Sequence, residues 1–297
     1  MKPELNTPEA EPQQPTITVV VCTRRRPAQL RRCLESLSRL GYPNFDVLVV
    51  DNSEGDDQTK DLADIFHASY VLEPQTGLSL ARNTGAKHAT GELIAYIDDD
   101  AIAKADWLNA FAREFLDAKV MAVAGQVIEG GTLRGGLSRI SVGREEPNWV
   151  AITSFGGVGN GGNLAFRSAA FASWPGFDSR LGRGTQIDGN EEHDAFFQMV
   201  RRGHRVVYAP DAIVEHLPEQ TLEQVRSRTV QDHAVAVAFA LRTLFYGEDR
   251  FRTLAYLLGR GPRVWHGDVG TRPRLSWMEK WSARVRGVTL FVRHLLR

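Results

Sequence analysis

The chain predicts an α/β fold: a mostly parallel sheet flanked by helices, with a helical extension at its C-terminal end. Three observations carry that prediction. β-Branched apolar runs alternate with helical patterns through residue 125, each early run ends in polar or charged residues, and a basic helix-forming segment follows residue 218.

Taken in order, Thr16 to Cys22 (TITVVVC) reads as a strand, and Pro27 to Leu40 as a helix with Leu30, Leu34 and Leu37 at helical spacing. Phe45 to Val50 (FDVLVV) is again a strand, ending in Asp51. That is a βαβ unit, and it repeats. A helix around Thr59 to His67 leads to a short strand at Tyr70 to Leu72, and a helix from Leu78 to His88 leads to the strand Leu93 to Ile97. Trp107 to Leu116 (helix) and Val120 to Ala124 (strand) follow. Residues Glu129 to Gly162 are rich in Gly and Ser around Trp149 and Phe155, which predicts long loops built over a site.

Composition fits a chain able to bury a core: of 297 residues, 42% are apolar and 24% charged. A formal net charge of zero gives no nucleic-acid footprint. The average hides an asymmetry, since twelve basic residues stand against four acidic ones from Leu241 onward. Cys22 and Cys33 fall in no metal-ligand spacing and read as thiols of a reduced, cytoplasmic chain. Residues 1–15, polar and proline-rich, read as a disordered leader. No run reaches the ~18 apolar residues of a membrane span.

Chemistry concentrates at the strand ends. Asp98-Asp99-Asp100 closes the run Leu93 to Ile97, and three adjacent carboxylates repel unless a cation or a ring of donors absorbs the charge. A hard divalent metal does so most simply; the plain alternative is a solvated acidic turn after Gly91. The first strand ends in Thr23-Arg24-Arg25-Arg26 and the second in Asp51-Asn52-Ser53, so hydroxyl, guanidinium and carboxylate groups converge on one edge. Arg25 and Arg26 read equally well as a solvated helix entry before Pro27. No GxGxxG or GxxxxGK[ST] follows the first strand, so metal and arginine, Arg82 among them, are left to meet a diphosphate. Glu191-Glu192-His193-Asp194 opens a further apolar helix, and three acids exceed what a helix dipole needs.

Seven stretches in order, VVVCTRRRPAQLRRCLESL, YPNFDVLVVDNS, GLSLARNTGAKHATGELIAYIDDDA, GNGGNLAFR, GFDSRLGRGT, NEEHDAFFQMVRRG and YAPDAIVEH, together resemble the family 2 glycosyltransferases of GT-A fold. The resemblance covers about residues 16 to 217. It implies an inverting, metal-dependent enzyme that transfers a sugar from a nucleoside-diphosphate sugar, a UDP-sugar favoured, to a saccharide or lipid-linked acceptor in cell-surface glycan or glycolipid synthesis. It implies Thr23, Arg24, Asp51, Arg82, Asp98 and Asp99 on the nucleotide, Asp100 and His216 on Mg2+ or Mn2+, and Asn163 and Glu191 at the donor and acceptor sugars. The family's base is usually the Asp after the first Glu of an E-D-x-D element; this chain has Glu192 there, with Asp194 as second choice. That departure keeps open a non-catalytic sugar-nucleotide-binding scaffold of a glycan assembly complex. A metal-dependent phosphohydrolase would need a placed nucleophile or second metal cluster, which the sequence does not offer. His216 also reads as an ordinary strand-end histidine, and His193 as a helix-surface residue.

The resulting division is a catalytic domain over 16–218, with a nucleotide part (16–125) and an acceptor part (126–218), then a basic helical extension over 219–297. In the extension, Leu222 to Tyr246 is one helix, and Trp281 to Leu296 another, with Trp281, Val285, Val288, Val292 and Leu295 on one stripe. A basic amphipathic helix of this kind suits the inner face of a membrane; packing on the catalytic domain, or on a second copy in a homodimer, is the other reading.

Overall fold

The computed structural model describes residues 14–55, 57–129, 138–185, 187–216, 221–246, 249–255, 258 and 273–295. Most of the expected leader and the boundary at Pro218 lie outside these residues.

The chain opens as read: β1 (Ile17–Thr23), α1 (Pro27–Leu37), β2 (Phe45–Asp51), α2 (Asp57–Ile65), β3 (Ser69–Leu72), α3 (Leu78–His88) and β4 (Leu93–Asp98). Then come β5 (Ala101–Ala103), α4 (Trp107–Glu114), β6 (Val120–Glu129), β7 (Ile140–Val142), α5 (Trp149–Ser154), β8 (Asn163–Arg167), α6 (Glu191–Arg201) and β9 (Arg205–His216). Among the described residues one sheet takes all nine strands, in the order β3-β2-β1-β4-β8-β6-β9-β5, with β7 added against β9. β1 to β4 pair in parallel, while β8 runs antiparallel between β4 and β6. β6 passes through residue 125, so the two stretches read as nucleotide part and acceptor part share this sheet.

Alternation along β1 shows why the sheet is buried on both sides. Val19 and Val21 face a cluster with Leu30 and Leu34 of α1, Leu62 of α2 and Phe111 of α4. Val20 faces the opposite cluster, with Ala81 of α3, Trp149 of α5 and Phe196 of α6. A strand with both faces covered becomes a continuous apolar run, which is what TITVVVC is.

The stretch read as long loops, 129 to 162, is a correction. It holds β7 and α5, and Trp149 is buried, stacked on Phe197 with ring centroids 5.2 Å apart. A three-residue strand and a six-residue helix are too short to show a period, so Gly and Ser dominated the signal.

The extension holds α7 (Leu222–Tyr246), α8 (Arg250–Ala255) and α9 (Trp277–Leu295). α7 packs on the segment before α6: Val235, Ala238 and Phe239 form a small core with Leu181, Ile187 and Phe291. One face of α9 closes that core, and the other is exposed.

Candidate active site

Strand register assembles the site. Parallel pairing sets Thr23 beside Asp51 and Cys22 beside Asp98, so the polar ends of β1, β2 and β4 share one edge. β5 then pairs antiparallel with β9, and the pair Ala101 and His216 brings the histidine next to Asp100. His216 Nε2 lies 3.6 Å from Asp98 Oδ2 and 3.7 Å from Asp100 Oδ1.

The three aspartates are compensated unequally. Asp99 is buried and committed to the fold: it accepts hydrogen bonds from Thr23 Oγ1 at 2.7 Å and from Arg26 Nη1 at 2.7 Å. Burial nevertheless pushes its carboxyl up to about 6, against the pull of Arg26 and Thr23. For Asp98 burial also pushes upward, but His216, with Arg82 and Arg183, outweighs it and holds the group down at about 2. Arg26, read with equal weight as a solvated helix entry, also reaches Asp100 Oδ2 at 3.1 Å. Nothing in its sequence context marks that role, because its partners lie over seventy residues away.

Asp98, Asp100 and His216 each offer a ligand atom, and these atoms lie within 4.8 Å of one another. Two carboxylate oxygens and an imidazole nitrogen make a hard, anionic donor set that fits a divalent cation. Asp98, assigned by the resemblance to the nucleotide, thus shares the cluster with Asp100 and His216. The floor of the cluster is backbone: a Cβ at Gly162 would lie 2.7 Å from Asp98 Oδ2 and 3.2 Å from His216 Nε2. Only glycine leaves that space open.

A second acidic cluster opens α6, whose first turn carries Glu191, Glu192 and Asp194, all buried. Asn190 starts the turn in the left-handed region at φ 65°. Glu191 Oε1 accepts from Arg82 Nη1 at 2.6 Å, so this acid neutralises a buried arginine. Arg82 also donates to the Gly161 carbonyl at 2.6 Å and lies 3.8 Å from Asp98 Oδ1, linking the two clusters. Asp194 Oδ1 accepts from Arg242 Nη1 of α7 at 3.0 Å, and the same guanidinium reaches Asp178 Oδ2 at 2.6 Å. Glu192 differs: its Oε2 is buried and has no hydrogen-bond partner among the described residues. Burial raises the Glu192 carboxyl above its ordinary range, opposed by Arg82 and by backbone donors.

The remaining residues singled out in the sequence separate clearly. Asp51 is buried and accepts from Ser53 Oγ at 2.7 Å and Tyr70 OH at 2.9 Å. Arg24 is exposed at the same edge. Asn163, expected at the donor sugar, is a correction: it is fully buried, accepts from Trp107 Nε1 at 2.8 Å and donates to the carbonyls of Gln126 and Ala212. Its amide ties β8 to β6 and β9. His193, read as a helix-surface residue, is partly buried: it turns toward Phe239 of α7, and burial lowers its imidazole to about 4.

Residues 18–172, just over half of the chain, match the sequence profile of Glycosyl transferase family 2. The chain belongs to that family. This family 2 glycosyltransferase is 28% identical over 249 residues to the succinoglycan biosynthesis protein ExoM of Rhizobium meliloti, covering 75% of each chain. It is 27% identical over 220 residues to a glucosyl-dolichyl phosphate glucuronosyltransferase of Haloferax volcanii, covering 67% of this chain and 68% of that one. Its fold matches a mannosyltransferase of Pyrobaculum calidifontis solved with GDP-Man and Mn2+, at a TM-score of 0.61 and 18% identity, over 96% of this chain and 76% of that one. The fold is therefore GT-A. The family profile match ends before α6 and β9, so it does not reach Glu191, Glu192 and His216.

Proposed function

We propose that this glycosyltransferase is inverting and metal-dependent, moving a sugar from a nucleoside-diphosphate sugar, a UDP-sugar favoured, to an acceptor hydroxyl in cell-surface glycan or glycolipid synthesis. The observation that carries the reading is the contrast between two clusters joined by Arg82: a divalent-cation donor set on one side, and a buried carboxylate with an unbonded oxygen on the other. Asp98, Asp100 and His216 would hold Mg2+ or Mn2+, which when bound stabilises the charge developing on the leaving diphosphate. Arg82 adds a fixed positive charge at the same edge.

Glu192 is the base. Its unbonded Oε2 accepts the acceptor's hydroxyl proton as that oxygen attacks the anomeric carbon, and the bond from the anomeric carbon to the diphosphate breaks in the same displacement. A single displacement inverts the anomeric centre. Thr23, Arg24 and Asp51 line the nucleoside end of the edge, with Asp99 holding Thr23 in place. Among the described residues no helix is long and apolar enough to cross a membrane. Placement in the cytoplasm, at the inner membrane face where a lipid-linked acceptor resides, accords with the relative named for action on a dolichyl phosphate.

A panel of sugar nucleotides, read by mass spectrometry for both binding and turnover, tests the reading. Turnover of one donor with inversion in the product supports it. Donor binding without turnover, across acceptors that include lipid-linked saccharides, favours the scaffold alternative instead.

A further inference from the structure

The exposed face of α9 has a chemistry that identifies what covers it. Trp277, Trp281, Val285, Val288 and Val292 fall three or four residues apart on one stripe, with Met278 at its edge, all exposed, Trp277 at 74% and Trp281 at 54%. The opposite face is closed against α7, where a Cβ at Gly287 would lie 2.5 Å from the Ala234 carbonyl, so the stripe cannot turn inward. The two tryptophan rings lie parallel, with centroids 6.2 Å apart and planes 2° apart, so the stripe begins in a pair of stacked indoles. Tryptophan at the edge of an apolar stripe is the residue best suited to a membrane–water boundary.

Charge decides between a membrane and a second copy. Lys280 and Arg284 flank the stripe on one side, Arg286 and Arg293 on the other, all exposed, while Glu279 is neutralised by Arg226 at 2.6 Å. Two such faces brought together by a two-fold axis would oppose cation to cation. An anionic surface would meet every one of them. Lys280 and Arg284 also line a cleft of about 290 Å³ between α9 and α7, together with His233, Val237 and Ala283.

We propose that α9 docks the protein on an anionic bilayer, the stripe from Trp277 to Val292 entering the acyl boundary and the cleft at Lys280 and Arg284 receiving a lipid phosphate. The attachment is peripheral, and it is independent of the catalytic reading.

Flotation of the full chain with phosphatidylglycerol–phosphatidylcholine vesicles, and with phosphatidylcholine alone, is the test. Binding is expected on the anionic vesicles at about 0.1 M salt and its loss near 1 M, where the Debye length falls from about 10 Å to about 3 Å. Trp277→Ser with Trp281→Ser should lower partitioning more than about tenfold. Lys280→Ala with Arg284→Ala should lower it about 30-fold, the product of two headgroup contacts. Circular-dichroism melts matching the wild type would show that these surface changes leave the fold intact. No flotation at low salt, or equal flotation by the tryptophan variant, overturns the proposal. So does a dimer in sedimentation that Trp281→Ser dissociates, since the face would then belong to a second copy. Flotation requires no turnover, so its failure and a failure of the transferase reading are separately visible.

Discussion

Two acidic clusters face each other in this molecule, and they are compensated by different logics. At the end of β4, Asp99 is closed off by Thr23 and Arg26, while Asp98 and Asp100 stay half-exposed beside His216. At the start of α6, Glu191 is closed off by Arg82 and Asp194 by Arg242, while Glu192 keeps an unbonded oxygen. The first cluster leaves two carboxylates and an imidazole that fit a cation; the second leaves one carboxylate oxygen with no hydrogen-bond partner among the described residues. An acid held by a fixed donor serves the fold, and an acid left open at a shared edge is available for chemistry.

The strongest way to break this comparison is to remove the cation. Asp100→Ala should drop turnover to background, and a chelator should do the same to the wild type, with recovery on adding Mn2+ or Mg2+. Asp99→Asn, by contrast, should act first on the melting temperature, because its partners are Thr23 and Arg26. Full activity of the wild type in chelator would end the metal-dependent reading.

The next effect separates Glu192 from Asp194. Glu192→Gln should cut kcat by about 10²- to 10⁴-fold while donor affinity stays unchanged, since proton transfer is lost and nucleotide contacts are not. The pH profile sharpens this. A base must be ionised, and burial raises this carboxyl, so kcat should fall on the acid side at a pH above the ordinary glutamate value of about 4.3. Stability runs in the opposite sense: a carboxyl whose folded pKa is raised contributes fully below its unfolded value, and that contribution is lost as pH rises through the folded one. The acid limb should vanish in Glu192→Gln. If Asp194→Asn removes it and Glu192→Gln does not, the base lies two residues further along α6.

Much of this was legible in the sequence, for a physical reason. β1, β2 and α3 follow hydrophobic patterns imposed by a sheet buried on both faces, and Asp98-Asp99-Asp100 is conspicuous wherever it sits. What a linear reading lacked was the partner of each polar side chain. Asn163 has the composition of a sugar contact, yet its amide is used inside the sheet by Trp107, Gln126 and Ala212. Arg26 read equally as a solvated helix entry and Arg242 only as one of the extension's basic residues, because Asp99 and Asp194 reach them only through the fold. α5 was missed because six residues carry too little periodicity to outweigh the glycines beside them.

Arg242 offers the smallest and most diagnostic perturbation. It stands on α7, outside both clusters, yet it bridges Asp178 and Asp194 with a side chain only 15% exposed. Nearby, Asp232 of α7 pairs with Arg183 at 3.1 Å, so one helix holds both the loop before α6 and α6 itself. Arg242→Ala would leave two nearly buried carboxylates facing each other, and breaking such a pair costs about 3 kcal/mol. Asp178 adds a pH signature: burial raises it, but Arg180 and Arg242 prevail and hold it at about 2. A depressed carboxyl contributes stability above its unfolded pKa and loses it as pH falls through the folded value, so Arg242→Ala should shrink the stability gained between about pH 2 and the ordinary aspartate value near 3.9. Because α6 carries Glu192, kcat should also fall, by about tenfold, with donor affinity retained. Arg242→Lys, which keeps the charge and loses the two-pronged geometry, should recover only part of both effects. Thermal melts across pH beside steady-state kinetics would check this, and an unchanged melting temperature in Arg242→Ala would show that α6 is held by its apolar face alone.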